Sequence, residues 1–370
     1  MKGYRYQWLS ALLVAIALFL GACVQGTQQI EPEEAAEGET EAEVEEEIEV
    51  EEDVADQEEP LKFAYVSPDP LGVNAFLIMG QSGIEAAGEQ WGAETQVLES
   101  EDPTTRVENV RAAVNEGADI VMVLGFEFND IIPQVAAEAP EVEFLIVDQC
   151  IEDPPPNVHC AVFREHEGAF LIGVAAASLS ETNHVGAIGA LDIPFLHRYT
   201  DGFAAGARYV NPDIEVDTLW VGGDNPFSDP ARAKEQALAM AANGADQIFA
   251  ATAAGNFGIF EAAEEQDFFA YGVDVNQCPT APGHVVDNLL KRVDVVVVQA
   301  IDAIMEGTEE SVFVYGLEED GIGLVALDAE EPAESQCVIM EHPEVIERLA
   351  EVEQQIISGE IVVEDPMFAQ

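Results

Sequence analysis

The feature that most constrains this chain is a regular alternation, beginning near Leu61, of short runs rich in Val, Ile and Phe with longer Ala-rich amphipathic runs. The short runs have the length and composition of buried strands, and the long runs have helical periodicity. Strands that alternate with helices form βαβ units, whose strands lie parallel in a sheet covered by helices. The pattern therefore predicts an α/β protein.

The predicted strands form two consecutive sets, and the predicted helices between them include 106–115 and 231–242. The first set of strands is Lys62 to Ser67, Glu94 to Glu99, Ile120 to Leu124, Glu143 to Val147 and Val158 to Phe163. The second set is His184 to Gly189, Glu215 to Val221, Gln247 to Ala251 and Phe269 to Val273. A further candidate strand, His284 to Leu289, follows, and Lys291 is predicted to open the helix after it.

The two sets resemble each other internally. A Gly-Ala-Asp turn that ends at Asp119 precedes one predicted strand, and the same turn recurs at Asp246. At similar offsets, a strand ends in Val-Asp at Asp148 and again at Asp274. The alternative is that Gly-Ala-Asp is only a common helix-to-strand turn. Two repeated doubly wound lobes would face each other with the carboxyl ends of their strands, where open α/β sheets bind ligands.

The first residues indicate export. Lys2 and Arg5 precede an apolar run, 8–20, that is too short to span a bilayer, and the run ends in Leu-Gly-Ala-Cys at Cys23. Small residues before a Cys resemble the bacterial lipobox, so we predict that residues 1–23 are a lipoprotein signal and that Cys23 carries the lipid. The alternative is an ordinary secretory signal cut near Ala22.

Residues 24–60 are predicted to be a disordered acidic tether. From Glu31 to Pro60 the chain has seventeen Asp or Glu, no Lys or Arg and no aromatic residue, so this segment has too little apolar surface to form a core. Mutual repulsion would keep it extended and hold the folded body away from the membrane. The alternative is an acidic tail that binds a basic partner.

The formal net charge of −60 argues against nucleic acid as a partner and against direct binding to anionic lipid. After the tether, Lys occurs only at Lys62, Lys234 and Lys291. The dense carboxylates suggest a protein that stays soluble at high salt, and a salt-rich habitat is one hypothesis.

The four cysteines other than Cys23 are expected to form disulfides, since exported proteins fold under oxidising conditions. Their spacing suggests Cys150 with Cys160 and Cys278 with Cys337. They form no CxxC motif, and no His stands beside them at metal-ligand spacing, so the sequence predicts no zinc site.

No catalytic motif is present, so the sequence predicts neither an enzyme nor a cofactor. Glu165, His166 and Glu167 are expected at a solvated helix start. The strand-end loops instead carry aromatic rings that could sandwich a flat ligand, and polar groups that could bond to its edge. The rings are Phe76, Phe126, Phe128, Phe163, Phe227 and Phe257, and the polar groups include Ser67, Asn74, Asp148, Asp274 and Asn276.

The chain resembles the basic membrane lipoprotein family of ABC-importer substrate-binding proteins, whose better understood members bind purine nucleosides. The resemblance covers nearly all of 61–362. It rests on the motifs at 125–126, 163–168, 189–194, 229–234, 254–263, 272–274, 291–294 and 356–361.

By this resemblance, Phe76 stacks on the base, Asp148 binds its edge, and Asp274 with Lys291 binds the ribose hydroxyls. The family's acidic pair before this Phe and its Asn directly after it are missing here. Asn74 or Asp69 substitutes for them, or the ligand differs from a standard purine nucleoside.

The resemblance implies the type I periplasmic-binding-protein fold, with two Rossmann-like lobes joined by three crossovers near Phe163, Gly283 and Gly316. The first lobe would hold 61–163 with 283–315, and the second 164–282 with 316–370. It also implies an extracytoplasmic solute-binding protein that works with an ABC permease and ATPase subunits. The alternatives are a sugar or polyol binder of the same fold and a ligand sensor without transport.

Overall fold

The structure, a computed structural model, describes residues 60–328 and 334–368. The predicted signal, Cys23 and the predicted tether up to residue 59 lie outside the described residues. Among the helices that are described, none combines the length and apolar character needed to cross a membrane.

The first sheet is built from strands of the first half of the chain and one late strand. Its strands are β1 (Lys62–Ser67), β2 (Glu94–Glu99), β3 (Ile120–Leu124), β4 (Glu143–Val147), β5 (Val158–Phe163) and β11 (Val312–Tyr315). Their spatial order is β11-β5-β4-β3-β1-β2, and all neighbours are parallel.

The second sheet repeats this scheme. Its strands are β6 (His184–Gly189), β7 (Glu215–Trp220), β8 (Gln247–Ala251), β9 (Phe269–Asp274), β10 (Val285–Lys291) and β12 (Ile322–Leu324). The order is β12-β10-β9-β8-β6-β7, and β12 alone of these strands runs antiparallel to its neighbour. Two doubly wound sheets with one strand order confirm the predicted α/β class.

Nine described helices cover the sheets: α1 (Ala75–Trp91), α2 (Pro103–Asn115), α3 (Ile132–Glu138), α4 (Glu165–Leu179), α5 (Pro194–Val210), α6 (Pro230–Ala242), α7 (Asn256–Gln266), α8 (Val293–Met305) and α9 (Pro343–Ile357). The local sequence determines where helices α1, α2 and α6 begin. The side chains of Asn74, Asp102 and Asp229 accept hydrogen bonds from free backbone N–H groups of the first turn.

Strand composition follows position in the sheet. The central strands β3 and β8 are buried at every residue, whereas the edge strands β2 and β7 read Glu-Thr-Gln-Val-Leu-Glu and Glu-Val-Asp-Thr-Leu-Trp and are half exposed. A central strand of a parallel sheet has helices on both faces and tolerates little polar surface, while an edge strand tolerates charge.

Helices α4 and α5 pack at very short range through two glycines. A Cβ at Gly173 would lie 2.0 Å from the carbonyl oxygen of Phe203, and one at Gly206 would lie 1.9 Å from that of Phe170. Since no side chain fits at either position, the two helices need glycine there.

The chain passes between the sheets after Phe163, after Lys291 and after Tyr315. We call the first sheet with α1, α2, α3 and α8 the first lobe, and the second sheet with α4, α5, α6, α7 and α9 the second lobe. The crossover placed near Gly283 lies later than the sequence suggested, because β10 extends to Lys291 and pairs with β9 in the second sheet. Lys291 is therefore the last residue of a strand, and its prediction as the start of the next helix is wrong.

Candidate functional site

A cleft lies between the carboxyl ends of the two sets of strands. It holds about 660 Å³ of empty space, counting its open mouth. The first lobe lines it with Pro68, Asp69, Asn74, Phe76, Leu77, Gly125, Phe126, Glu127 and Asp148. The second lobe lines it with Phe195, Leu196, Tyr199, Phe227, Ala251, Ala253, Val273, Asp274 and Lys291.

Aromatic rings from both lobes form much of the cleft wall. Phe126 of the first lobe and Phe227 of the second have ring centroids 6.3 Å apart with planes tilted by 48°. Phe76 stands in the first turn of α1, where its backbone N–H donates to Asn74 Oδ1 at 3.2 Å. Rings that face an open cavity offer flat apolar surface to a ligand without being lost to the core.

Lys291 lies at the base of the cleft and is 1% exposed. Its Nζ donates to Asp148 and, at 3.1 Å, to the hydroxyl of Tyr199, and it lies 3.0 Å from Glu165 Oε1. Burial alone would lower the pKa of this ammonium, but Asp148, Tyr199 and Glu165 outweigh it, so the pKa is raised well above its usual value. Lys291 is thus a permanent cation inside the protein.

Aromatic faces complete the surroundings of this ammonium. Nζ lies 4.7 Å from the ring centroid of Phe163 and 5.1 Å from that of Phe76, both of the first lobe. It also lies 5.5 Å from the ring of Phe195 in the second lobe. Since cations are attracted to ring faces within about 6 Å, Lys291 contacts both lobes at once through charge and through rings.

Asp274 ends β9 with its backbone in the left-handed region, at φ 74°, as Asp148 does after β4, at φ 80°. Burial raises the pKa of Asp274 to about 7; Lys291 lowers it less than burial raises it, and Asp148 raises it further. Among the described residues, none donates a hydrogen bond to its carboxylate. Asp274 is therefore an acceptor in the cleft whose bonding capacity is unused.

A second carboxyl group in the cleft belongs to Glu127. Burial raises its pKa to about 7, while Arg106 opposes the shift and Asp69 adds to it. Arg106 also fixes the loop that carries Asp69, since its guanidinium bonds to the carboxylate of Asp69 at 3.2 Å and to the carbonyl of Pro68 at 2.8 Å.

Most of the predicted ligand-binding residues meet in this cleft: Asn74, Phe76, Phe126, Asp148, Asp274 and Lys291. Ser67 and Phe257 do not line it. Ser67 is fully buried and its hydroxyl donates to the carbonyl of Asp69 at 2.6 Å, because it completes the turn after β1. Phe257 stands in the first turn of α7 and is 38% exposed. It lines a second pocket, which lies beside the cleft.

The other aromatic candidates divide between core and cleft. Phe128 and Phe163 are fully buried, and of these Phe163 reaches Lys291 from beneath the cleft. Asn276, a polar candidate, lines the second pocket and not the cleft, and its side-chain amide donates to the carbonyl of Ser335 at 3.1 Å. Tyr199 and Phe195 were not named as candidates from sequence, and both reach the cleft from the first turns of α5.

The expectation that Glu165 and His166 occupy a solvated helix start is wrong. Glu165 is fully buried and His166 is 4% exposed, and burial lowers the pKa of His166 to about 4. The reason is the crossover after Phe163, which places this helix start between the lobes. There Arg198 donates to the carbonyl of Phe163 at 3.0 Å and to Glu165 at 3.3 Å, and it binds Asp365 at 2.6 and 2.9 Å.

Each lobe has one disulfide close behind its strand-end aspartate. Cys150 is bonded to Cys160 with Cα atoms 5.2 Å apart, and Cys278 is bonded to Cys337 with Cα atoms 5.0 Å apart. These are the pairs that the spacing suggested.

Residues 61–366 match the family described as ABC transporter substrate-binding protein PnrA-like. The chain belongs to this family. It is 30% identical over 216 residues to Basic membrane protein A of Borreliella burgdorferi, covering 57% of this chain and 62% of that protein. It is 32% identical over 235 residues to the ABC transporter nucleoside-binding protein BmpA of Lactococcus lactis, covering 59% and 64%.

The matched segments span less than two thirds of the length of several curated relatives, including Basic membrane protein A1 of Borrelia garinii at 63%. Among solved structures, an ABC transporter solute-binding protein from Aeropyrum pernix superposes with a TM-score of 0.72 at 26% identity, covering 82% of this chain and 94% of that one. This likeness confirms that the chain has the predicted type I periplasmic-binding-protein fold.

Proposed function

We propose that this protein is the extracytoplasmic, lipid-anchored solute-binding component of an ABC importer and that its ligand is a nucleoside. The observation that carries the proposal is a cleft with aromatic faces from both lobes above one buried cation and two strand-end carboxylates. The name of the Lactococcus relative, a nucleoside-binding protein, supports the same ligand class.

The nucleobase would stack between the rings that line the cleft, chiefly Phe76, Phe126 and Phe227. Stacking on an aromatic ring contributes about 1 to 3 kcal/mol per base. The side-chain amide of Asn74 stands beside these rings, where it could donate to a base edge. Asp148 would accept a hydrogen bond from the base edge while it keeps its contact with Lys291.

The ribose would bind at Asp274 and Lys291. A carboxylate without donors accepts from two neighbouring hydroxyls, and the ammonium would redirect one of its three N–H groups to one of these hydroxyls. Each charge-assisted bond contributes about 1.5 to 3 kcal/mol. The surroundings of Asp274 support this role, because burial raises its pKa to about 7 and hydroxyls of a ligand would supply donors that stabilise the ionised carboxylate.

Capture would work by closure of the lobes. A ligand that touches both lobes binds the closed arrangement better than the open one and shifts the population towards it by that difference. The permease and ATPase subunits would then recognise the closed form. Binding and release, with no chemical turnover, would account for the cycle.

The anchor would be the lipid on Cys23, with residues 24–60 as a spacer. The Leu-Gly-Ala-Cys sequence and the seventeen acidic residues that follow within 31–60 support this arrangement. Cys23→Ala should release the protein from membranes into the soluble fraction. A variant that stays on membranes after a high-salt wash would show that another contact holds it.

Native mass spectrometry of the protein as purified tests the ligand class, followed by calorimetric titration with adenosine, guanosine, ribose and glucose. We expect a carried-over nucleoside mass, or titration by a nucleoside and not by the sugars. Titration by a sugar with no response to nucleosides would replace the nucleoside by a sugar or polyol.

A further inference from the structure

A second group of polar side chains stands at the end of the second sheet opposite the cleft. His184 is the first residue of β6 and Glu215 the first of β7, and the parallel register places them side by side. Asp217 follows Glu215 by two residues, so both carboxylates project from the same face of the edge strand. Each of the three residues offers one ligand atom, and these atoms lie within 4.8 Å of one another.

The imidazole of His184 is the buried member of this group, with 7% of the residue exposed. Its Nε2 lies 3.1 Å from Asp217 Oδ2 but makes no hydrogen bond. Buried polar atoms in folded proteins nearly always have a partner, and an ion shared with the two neighbouring carboxylates would give this nitrogen one.

We propose that His184, Glu215 and Asp217 form a site for one divalent transition-metal ion, with zinc as its best occupant. Zinc binds imidazole nitrogen at about 2.0 to 2.1 Å and carboxylate oxygen at about 2.0 to 2.2 Å, which in a tetrahedral site separates ligand atoms by roughly 3.3 Å. The 3.1 Å between Nε2 and Oδ2 is close to that value. Glu215 is exposed and free to rotate towards the ion.

The three ligand atoms, one imidazole nitrogen and two carboxylate oxygens, also favour zinc over the alkaline-earth ions. An imidazole nitrogen suits zinc, whereas magnesium and calcium prefer oxygen alone. Three protein ligands leave the fourth position to water. Such an ion would fasten the edge strand β7 to β6, and the acidic surface of the protein would concentrate cations near it.

Calorimetric titration of the tag-free, chelator-treated protein with zinc chloride at pH 7.5 tests the site. We expect one zinc per chain with a micromolar dissociation constant. His184→Asn, Glu215→Gln and Asp217→Asn should each weaken binding at least tenfold. The two carboxylate positions keep the test valid if the buried histidine variant does not fold.

A matched control is available in His197, which also stands between two aspartates. Its Nε2 lies 2.9 Å from Asp192 and its Nδ1 lies 3.2 Å from Asp201, so the two carboxylates approach opposite ring nitrogens and do not converge on one ion. His197→Asn should bind zinc as the wild type does.

Cobalt(II) in place of zinc gives a second readout, because a tetrahedral site with one nitrogen ligand produces visible absorption that loosely held surface ions do not. We expect this absorption in wild type and His197→Asn, and its loss in Asp217→Asn. Wild-type zinc affinity in both carboxylate variants would overturn the proposal. So would many weak ions per chain bound equally well as magnesium, which would mean counterions on an acidic surface.

Discussion

The two lobes place an aspartate at the same point, and the two aspartates have different surroundings. Asp148 and Asp274 each end a central strand with left-handed backbone, at φ 80° and 74°. Asp148 accepts a hydrogen bond from the ammonium of Lys291, whereas no described residue donates to Asp274. The repeated scaffold thus supplies two equivalent positions, and one lysine at the end of β10 makes them chemically unequal.

The largest expected effect comes from removing that lysine. Lys291→Met would leave the buried carboxylate of Asp148 without a cation and Glu165 with Arg198 alone, and breaking a buried pair costs about 3 to 5 kcal/mol. Chemical denaturation should show this loss. Lys234→Met is the control, because Lys234 pairs only with the half-exposed Glu261 and Glu265, and its denaturation midpoint should not change. Equal behaviour of the two variants would contradict the assigned role of Lys291.

The disulfides distinguish the lobes in a second way. The bond between Cys278 and Cys337 closes a loop of 59 residues, and that between Cys150 and Cys160 a loop of 10. Chain entropy predicts that losing the first costs about 4 kcal/mol and losing the second about 3 kcal/mol. Paired Cys→Ser variants measured by denaturation should follow this order, and the reverse order would show that the loops do not set the effect.

Replacing each aspartate by asparagine addresses the comparison directly. Asp274→Asn should keep or raise stability, since it removes a buried charge without donors, and should weaken ribonucleoside binding about tenfold to a hundredfold. Asp148→Asn should lower stability, because the buried Lys291 loses one of its two carboxylate partners. Calorimetry with a ribonucleoside and its 2′-deoxy form should show that only Asp274→Asn removes the preference for ribose. An unchanged preference would exclude Asp274 from the ribose site.

The smallest expected effect is a pH dependence of binding. In the ligand-free protein the pKa of Asp274 is about 7, and ligand hydroxyls favour the ionised form, so binding releases a proton. Affinity should be full above pH 7 and fall by up to about tenfold per unit below it. Asp274→Asn should flatten the profile. Because the pKa of Glu127 is also about 7, Glu127→Gln is the control that separates the two carboxyl groups.

Sequence periodicity predicted the strands well, because strands such as Ile120–Leu124 are continuous apolar runs between turn residues. The internal repeat also predicted correctly that Asp148 and Asp274 stand at the ends of strands. It failed where the deciding contacts are distant in sequence. Lys291 and Asp148 are 143 residues apart, and no local pattern pairs them.

The same reason explains the error at Glu165. A charged residue in the first turn of a helix is normally solvated, so the local pattern was misleading. Its burial is produced by the crossover after Phe163 together with Lys291 and Arg198, which arrive from two later parts of the chain.

The ion pair between Arg198 and Asp365 has a practical consequence for measurement. Arg198 also holds the carbonyl of Phe163, so the segment around Asp365 is fastened to the first crossover between the lobes. Met367 lies two residues beyond this attachment and is 38% exposed. A fluorophore attached through Met367→Cys would therefore report the rotation of the lobes from outside the cleft and leave the binding surface untouched.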